Sequence, residues 1–227
     1  MRMFAVYQKH EALSFISHLD IQRTLQRAFR RARIPLAYSD GFNPHPQLSF
    51  AAAVPTGAAS ACEWFEVRLS EPVTPEAFLT RTNAAMPDGL KLLCAFEAPE
   101  QAGKLTVMVR AAEYRACLTA ETALSAEAVQ AALDALLAGE IVVNKRTKGG
   151  VKPVDIRPQI MQAALEGIEG SEIILRVLGK LQADGGLRVE LLIDALFDRL
   201  GAQGGAARIC RTAMYFDSDG SLPRLSP

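Results

Sequence analysis

The side chains with chemistry to offer crowd into one stretch, FISHLDIQRTLQRAFRRARIPLAYSDGFNPHPQLSF, from Phe15 to Phe50. It holds two of the chain's 3 histidines, His18 and His45, and between them Arg23, Arg27, Arg30 and Arg31. An imidazole can bind a ligand or move a proton near neutral pH. A row of guanidiniums can grip phosphates. His45 stands between Pro44 and Pro46 in a loop opened by Gly41, where a buried structural role is less expected than for most histidines and contact with a ligand or substrate is the alternative. His18 lies just inside a helix start, where the dipole disfavours its protonated form and leaves a neutral imidazole. Phe42 is either a platform for a base or a plug into the core, and the plug is preferred. Asn43 either reads a base edge or closes an Asx-turn on itself, and the turn is preferred. His18, Asp20 and His45 could all ligate a metal, but their spacing is not that of a metal site, and none is assigned.

The arginines sit on a helix that can be read by angle. At about 100° per residue, Ile21, Leu25, Ala28, Phe29 and Ala32 share one stripe and the four arginines the opposite side. Ser17 is the expected N-cap, with Asp20 at capping-box spacing, and Pro35 ends the helix. No Glu or Asp stands at i+4 to neutralise the row, so a purely solvating role explains it poorly. A second basic island, KRTKGGVKPVDIR, carries Lys145, Arg146, Lys148, Lys152 and Arg157 around Gly149 and Gly150. A basic loop of this kind suits phosphate contact. Asp155 and Arg157 share a strand face and are expected to pair.

The net charge of zero conceals this pattern. The balance is +4 over residues 1–60, −6 over 61–140, +4 over 141–160 and −2 thereafter. Two basic islands in an acidic body suit a localised anionic partner. The 4 cysteines are scattered, with no C-x-x-C pair, so neither a zinc site nor a disulfide framework is indicated. No apolar run reaches the ~18 residues of a membrane span, and the N-terminus is too soon polar for a secretion signal. A cytoplasmic location is expected. No P-loop, nucleophile-elbow, zincin or Rossmann motif is present.

These elements need a scaffold. Residues 2–9 alternate like a strand, the arginine helix follows over about 17–33, and Leu36–Ser39 and Leu48–Val54 are candidate strands. Residues 60–69 form a clear strand, Thr74 and Pro75 open a helix to about Met86, and LKLLCAFE is a strand. The second half repeats the order: a strand at 106–118, a helix from Ser125 closed by Gly139, strand-like 141–144, a hairpin of 154–165 and 171–178, a helix over 186–200 and a strand at 207–216. The fold class is therefore α+β, with two tandem ferredoxin-like (β-α-β-β-α-β) modules with antiparallel sheets. The first spans 1–100, the second 105–217, and 218–227 is a tail. In this topology the start of the arginine helix and the Gly41–Pro46 loop are expected to be neighbours.

The long first motif, then VPTG at 54–57, then KRTKGGVKPVDIRP, closely resemble the radical SAM-linked protein family, a bacterial family of unknown function. The resemblance covers nearly the whole chain. In that family the domain is fused behind, or encoded beside, a radical SAM enzyme with a B12-binding-type region. The resemblance thus implies a radical SAM partner that holds S-adenosylmethionine and an iron–sulfur cluster. This chain lacks the C-x-x-x-C-x-x-C motif, and no cofactor is expected on it. The layout is also similar to that of the CRISPR repeat-processing endoribonucleases. The leading expectation is a non-catalytic RNA-binding or substrate-presenting accessory protein in tRNA or rRNA modification. Arg23, Arg27, Arg30, Arg31, Lys145, Arg146, Lys148, Lys152 and Arg157 would hold phosphates, and Phe42, Asn43 and His45 would touch a base, the ribose or the partner. The alternatives are a metal-independent endoribonuclease using His45 or His18, and an adaptor that docks the radical SAM protein.

Overall fold

The alternation of RMFAVYQK becomes β1 (Arg2–Lys9). The structure, a computed structural model, describes residues 1–99, 101–147, 150–182 and 185–216, without the side chains of 145–147 and 185. A 3-10 turn (Glu11–Leu13) leads to α1 (His18–Arg31), whose buried residues are Ile21, Leu25, Ala28 and Phe29. Ser17 caps it: its Oγ accepts the Asp20 N–H at 3.2 Å and donates to Asp20 Oδ2 at 2.7 Å. Then come β2 (Leu48–Phe50), β3 (Ala58–Arg68), α2 (Pro75–Ala85) and β4 (Leu90–Glu97). The strands lie in the order β4–β1–β3–β2 with every neighbouring pair antiparallel. This is the ferredoxin-like order, and it places α1 and α2 over one face. Met3, Ala5, Tyr7, Phe65 and Val67 from the strands meet Ile21, Leu25, Phe29 and Phe78 in its core.

The chain continues through α3 (Leu105–Met108), β5 (Val109–Ala120), α4 (Ala126–Leu137), β6 (Val142–Thr147), β7 (Gly150–Asp155) and β8 (Ile160–Glu169). It ends in β9 (Glu172–Gln182), β10 (Gly185–Gly186), α5 (Val189–Leu200) and β11 (Gly204–Phe216). Here the order is β11–β5–β9–β8, the same four-strand pattern as in the first half. The α4 cap is Ser125, whose Oγ accepts the Ala128 N–H at 3.2 Å, and α5 closes on Gly201 at φ 60°. The chain forms two compact units, Met1–Arg110 with Arg211 onward, and Ala111–Cys210. β11 therefore gives 204–210 to the second unit and 211–216 to the first, where it is a neighbour of β3.

Three local expectations fail. Leu36–Ser39 is not a strand: only Leu36 and Tyr38 form isolated bridges, to Leu69 and Pro46. Within KRTKGGVKP the described residues, 145–147 and 150–153, belong to a ribbon rather than a loop, with β6 paired to β7 from Val142↔Asp155 to Thr147↔Gly150. The expected strand 154–165 is interrupted by a 3-10 turn, Arg157–Gln159, in which Pro158 has no N–H to give a ladder. The Asp155 carboxylate turns inward there and accepts the N–H groups of Ile141 and Arg157 at 2.9 Å each.

Candidate functional site

Strand register decides what surrounds each histidine. Leu48 pairs with Val67, which also pairs with Met3, so β2 enters level with the start of β1. The Gly41–Pro46 loop precedes β2 and lies at that entry end, whereas α1 begins where β1 exits. The expected juxtaposition of helix start and loop is thus overturned, because the strand parallel to β1 follows the loop instead of preceding it. His18 and His45 sit at opposite ends of the sheet. The segment that does reach the helix start is VPTG: the Gly57 N–H donates to Ser14 O at 2.8 Å.

Under the helix start the first unit buries a polar cluster. Tyr7 and Glu63 are register partners on β1 and β3, and Lys9 follows two residues on from Tyr7. Arg211 NH1 donates to both Glu63 carboxylate oxygens, at 2.8 and 2.9 Å, and NH2 donates to Ala53 O at 3.2 Å. Lys9 Nζ donates to Ser14 O at 2.9 Å and Ile16 O at 3.2 Å, holding the turn before α1. The His18 ring stands edge-on to Phe50 at 4.7 Å between centroids. Its Nδ1 and the Tyr7 hydroxyl are buried with no hydrogen-bond partner among the described residues.

Burial pushes the His18 imidazole below its ordinary range, and the charges of Arg211 and Lys9 push it further. The ring is therefore neutral at neutral pH. Burial likewise lowers Lys9 and raises Tyr7, the latter with help from Glu63. Glu63 is raised by burial, which Arg211 opposes through its charge and its hydrogen bonds from one guanidinium nitrogen to both carboxylate oxygens. Sequence reasoning passed over Tyr7, Lys9, Glu63 and Arg211. The available signal was strand parity: Lys9 shares a face with Met3, Ala5 and Tyr7, and Glu63 with Phe65 and Val67.

At the other end, His45 is gripped by Ser39. The Ser39 hydroxyl is 3.0 Å from His45 Nδ1 and accepts the His45 N–H at 3.2 Å, while the Ser39 N–H donates to His45 O at 2.9 Å. The Asn43 contact to this ring is its backbone oxygen, 3.4 Å from Nδ1, in place of the expected side-chain turn. Phe42 is fully exposed, so the plug is ruled out. The loop follows the last turn of α1, so it shares an end of the sheet with Arg30 and Arg31. All four helix arginines are exposed. Arg23 pairs with Asp20 at 3.2 Å, and Asp20 is held below its usual range by its bonds from Ser17 and Arg23. Arg27 donates to Thr24 Oγ1 and Arg31 to Ala85 O. Among the described residues no carboxylate comes within ion-pair distance of Arg27, Arg30 or Arg31.

In the second unit, Lys145 and Arg146 occupy β6 opposite Lys152 and Val151. Lys152 is exposed. Lys148 and the side chains of Lys145 and Arg146 lie outside the described residues. Arg157 is committed elsewhere: Nε donates to Leu137 O at 2.7 Å and NH1 to Ile160 O at 2.9 Å, so it does not pair with Asp155. Among the described residues no group of three or more His, Cys, Asp or Glu is placed to hold a metal, and no helix is long and apolar enough to cross a membrane.

The family model described as "Uncharacterized protein conserved in bacteria (DUF2344)" matches residues 2–188. The chain belongs to that family. No curated protein matches it. Among solved structures this DUF2344 member is similar to a chain of a Cbf5-Nop10-Gar1 complex, with a TM-score of 0.58 at 11% identity over 95% of this chain and 50% of that one. It is also similar to a chain of an H/ACA RNP bound to a substrate RNA containing 2'-deoxyuridine, at TM-score 0.52 and 10% identity over 92% and 46%. A third likeness is to a chain of the archaeal box H/ACA sRNP Nop10-Cbf5 complex, at TM-score 0.50 and 10% identity over 91% and 46%. The protein spans about half the length of each of these chains. At such identities the likeness is one of fold.

Proposed function

We propose that this DUF2344 protein is an RNA-binding module that presents RNA to a partner enzyme. The carrying observation is the outer face of α1. It bears four exposed arginines, three of them without a carboxylate in ion-pair range among the described residues. Like charges at i+3 and i+4 repel by a few tenths of a kcal/mol per pair on a helix, and a polyanion laid along the row relieves that repulsion. A fully exposed Phe42 beyond the end of the row supplies an aromatic face on which a base can stack. Solved structures of similar fold include chains of two H/ACA ribonucleoproteins, one bound to a substrate RNA, which supports an RNA-facing use of the scaffold.

The partner enzyme in this reading is a radical SAM protein, and the modified RNA a tRNA or rRNA, as the motif resemblance implies. The cluster and S-adenosylmethionine belong to the partner. Pull-down of the radical SAM protein with and without nuclease tests the pairing: co-purification with RNA retained supports presentation, and co-purification without any RNA favours a pure adaptor. Incubation with cellular RNA tests the nuclease alternative, which requires cleavage that a His45→Ala protein loses.

A further inference from the structure

The entry end of the first unit's sheet carries a groove beside the His45 loop. His45 and Gln47 from the segment before β2, Arg2 of β1, Glu66 and Arg68 of β3, and Lys104 at the start of α3 line a cavity of about 420 Å³. A second cavity of about 800 Å³ shares Arg2, Gln47 and Arg68 with the first and extends past Glu97. Volumes of about 300–1,000 Å³ are those of small-molecule and nucleotide sites.

Within the groove the charges divide into clamps and free donors. Arg2 is a clamp: it pairs with Glu66 at 3.2 Å and donates to Ala102 O at 2.9 Å and to Gly103 O. Those bonds cancel the Glu66 charge locally and pin the backbone that carries Lys104. Gln47 is also committed, donating from Nε2 to Tyr38 O at 2.9 Å. Arg68 and Lys104 are exposed, with no carboxylate in ion-pair range among the described residues. His45 has Nδ1 taken by Ser39, which leaves Nε2 for a ligand. Glu97 lies in the adjoining cavity, beyond the cationic part.

We infer that this groove binds the phosphate of a nucleotide, with Arg68 and Lys104 on the phosphate oxygens and His45 Nε2 as a third contact. Two cations and an imidazole lining one cavity suit a compact anion better than they suit a flat polymer. The site deepens the RNA-presenting reading and rests on it for the source of the phosphate, which is either one residue of a bound RNA or a free nucleotide.

The test uses uridine 5'-monophosphate and uridine as probes, alongside a fluorescent single-stranded RNA, on the full chain. The expected result is saturable binding of the monophosphate, with uridine weaker by about tenfold or more. Arg68→Glu/Lys104→Glu should lose about tenfold or more in monophosphate affinity. Arg27→Glu/Arg30→Glu, on the helix row, should keep monophosphate affinity and lose polymeric RNA. Circular dichroism melts confirm that both variants fold. Equal binding of uridine and the monophosphate, or unchanged affinity in the groove variant, overturns the groove. RNA binding without monophosphate binding overturns the groove and leaves the RNA-presenting function standing. Monophosphate binding without RNA binding does the reverse and makes the groove a site for free nucleotides.

Discussion

Arg211 and Glu63 form a bidentate ion pair, 2.8 and 2.9 Å long, with both side chains only 1% exposed. The pair joins β11 to β3 beneath the start of α1, and Arg211 reaches on to Ala53 O in the segment after β2. Breaking a buried pair from one side strands a charge, which costs about 3–5 kcal/mol. Arg211→Met is expected to destabilise the protein by about that amount in urea melts. Glu63→Leu combined with Arg211→Met should recover a large part of the loss, because neither charge is then left buried alone. A double variant as unstable as the single one would show that the neighbouring backbone contacts matter more than the pair.

His18 gives the stability a pH dependence of known sign. Its pKa is lowered in the folded protein, by burial first and then by Arg211 and Lys9. An imidazole in the unfolded chain takes up a proton near pH 6.5. As pH falls through that value the unfolded state binds the proton and the folded state does not, so stability falls until the lowered folded pKa is passed. Above about pH 7.5 both states are neutral and the contribution vanishes. Subtracting the urea-melt profile of His18→Gln from that of the wild type should leave a component that rises with pH below about 6.5. A flat difference would contradict the buried, neutral placement of the ring.

Phe42 separates folding from binding. Its side chain is fully exposed, so Phe42→Ala should change thermal stability by less than about 0.5 kcal/mol. The same change should weaken single-stranded RNA binding by about 1–3 kcal/mol, the range for loss of one stacking platform. Loss of stability with no loss of affinity would return Phe42 to the structural role the sequence suggested.

The contrast between these residues explains what the sequence could convey. The α1 stripe, its Ser17 cap and the Thr74–Pro75 opening of α2 follow local rules, and each stands where periodicity and capping put it. The order of elements was enough for the ferredoxin-like arrangement in both halves. Register was not legible, because nothing local distinguishes Leu36–Ser39 from Leu48–Phe50 as the strand parallel to β1. That one ambiguity moved His45 from the exit end of the sheet to its entry end. The Arg211–Glu63 pair was hidden for a related reason. The two residues lie 148 positions apart and meet only because the last strand returns to the first unit. Phe42 was misjudged because an aromatic residue between polar neighbours carries no period from which to read its burial.

Salt dependence of RNA affinity reads the arginine–phosphate contacts themselves. With about four phosphates held by the arginine row, the logarithm of the association constant should fall with the logarithm of salt concentration at a slope of about −3, using the −0.7 per contact of single strands. Arg27→Ala/Arg30→Ala should make that slope shallower by about 1.4. No binding at low salt, or an affinity indifferent to salt and to these two arginines, would contradict those contacts.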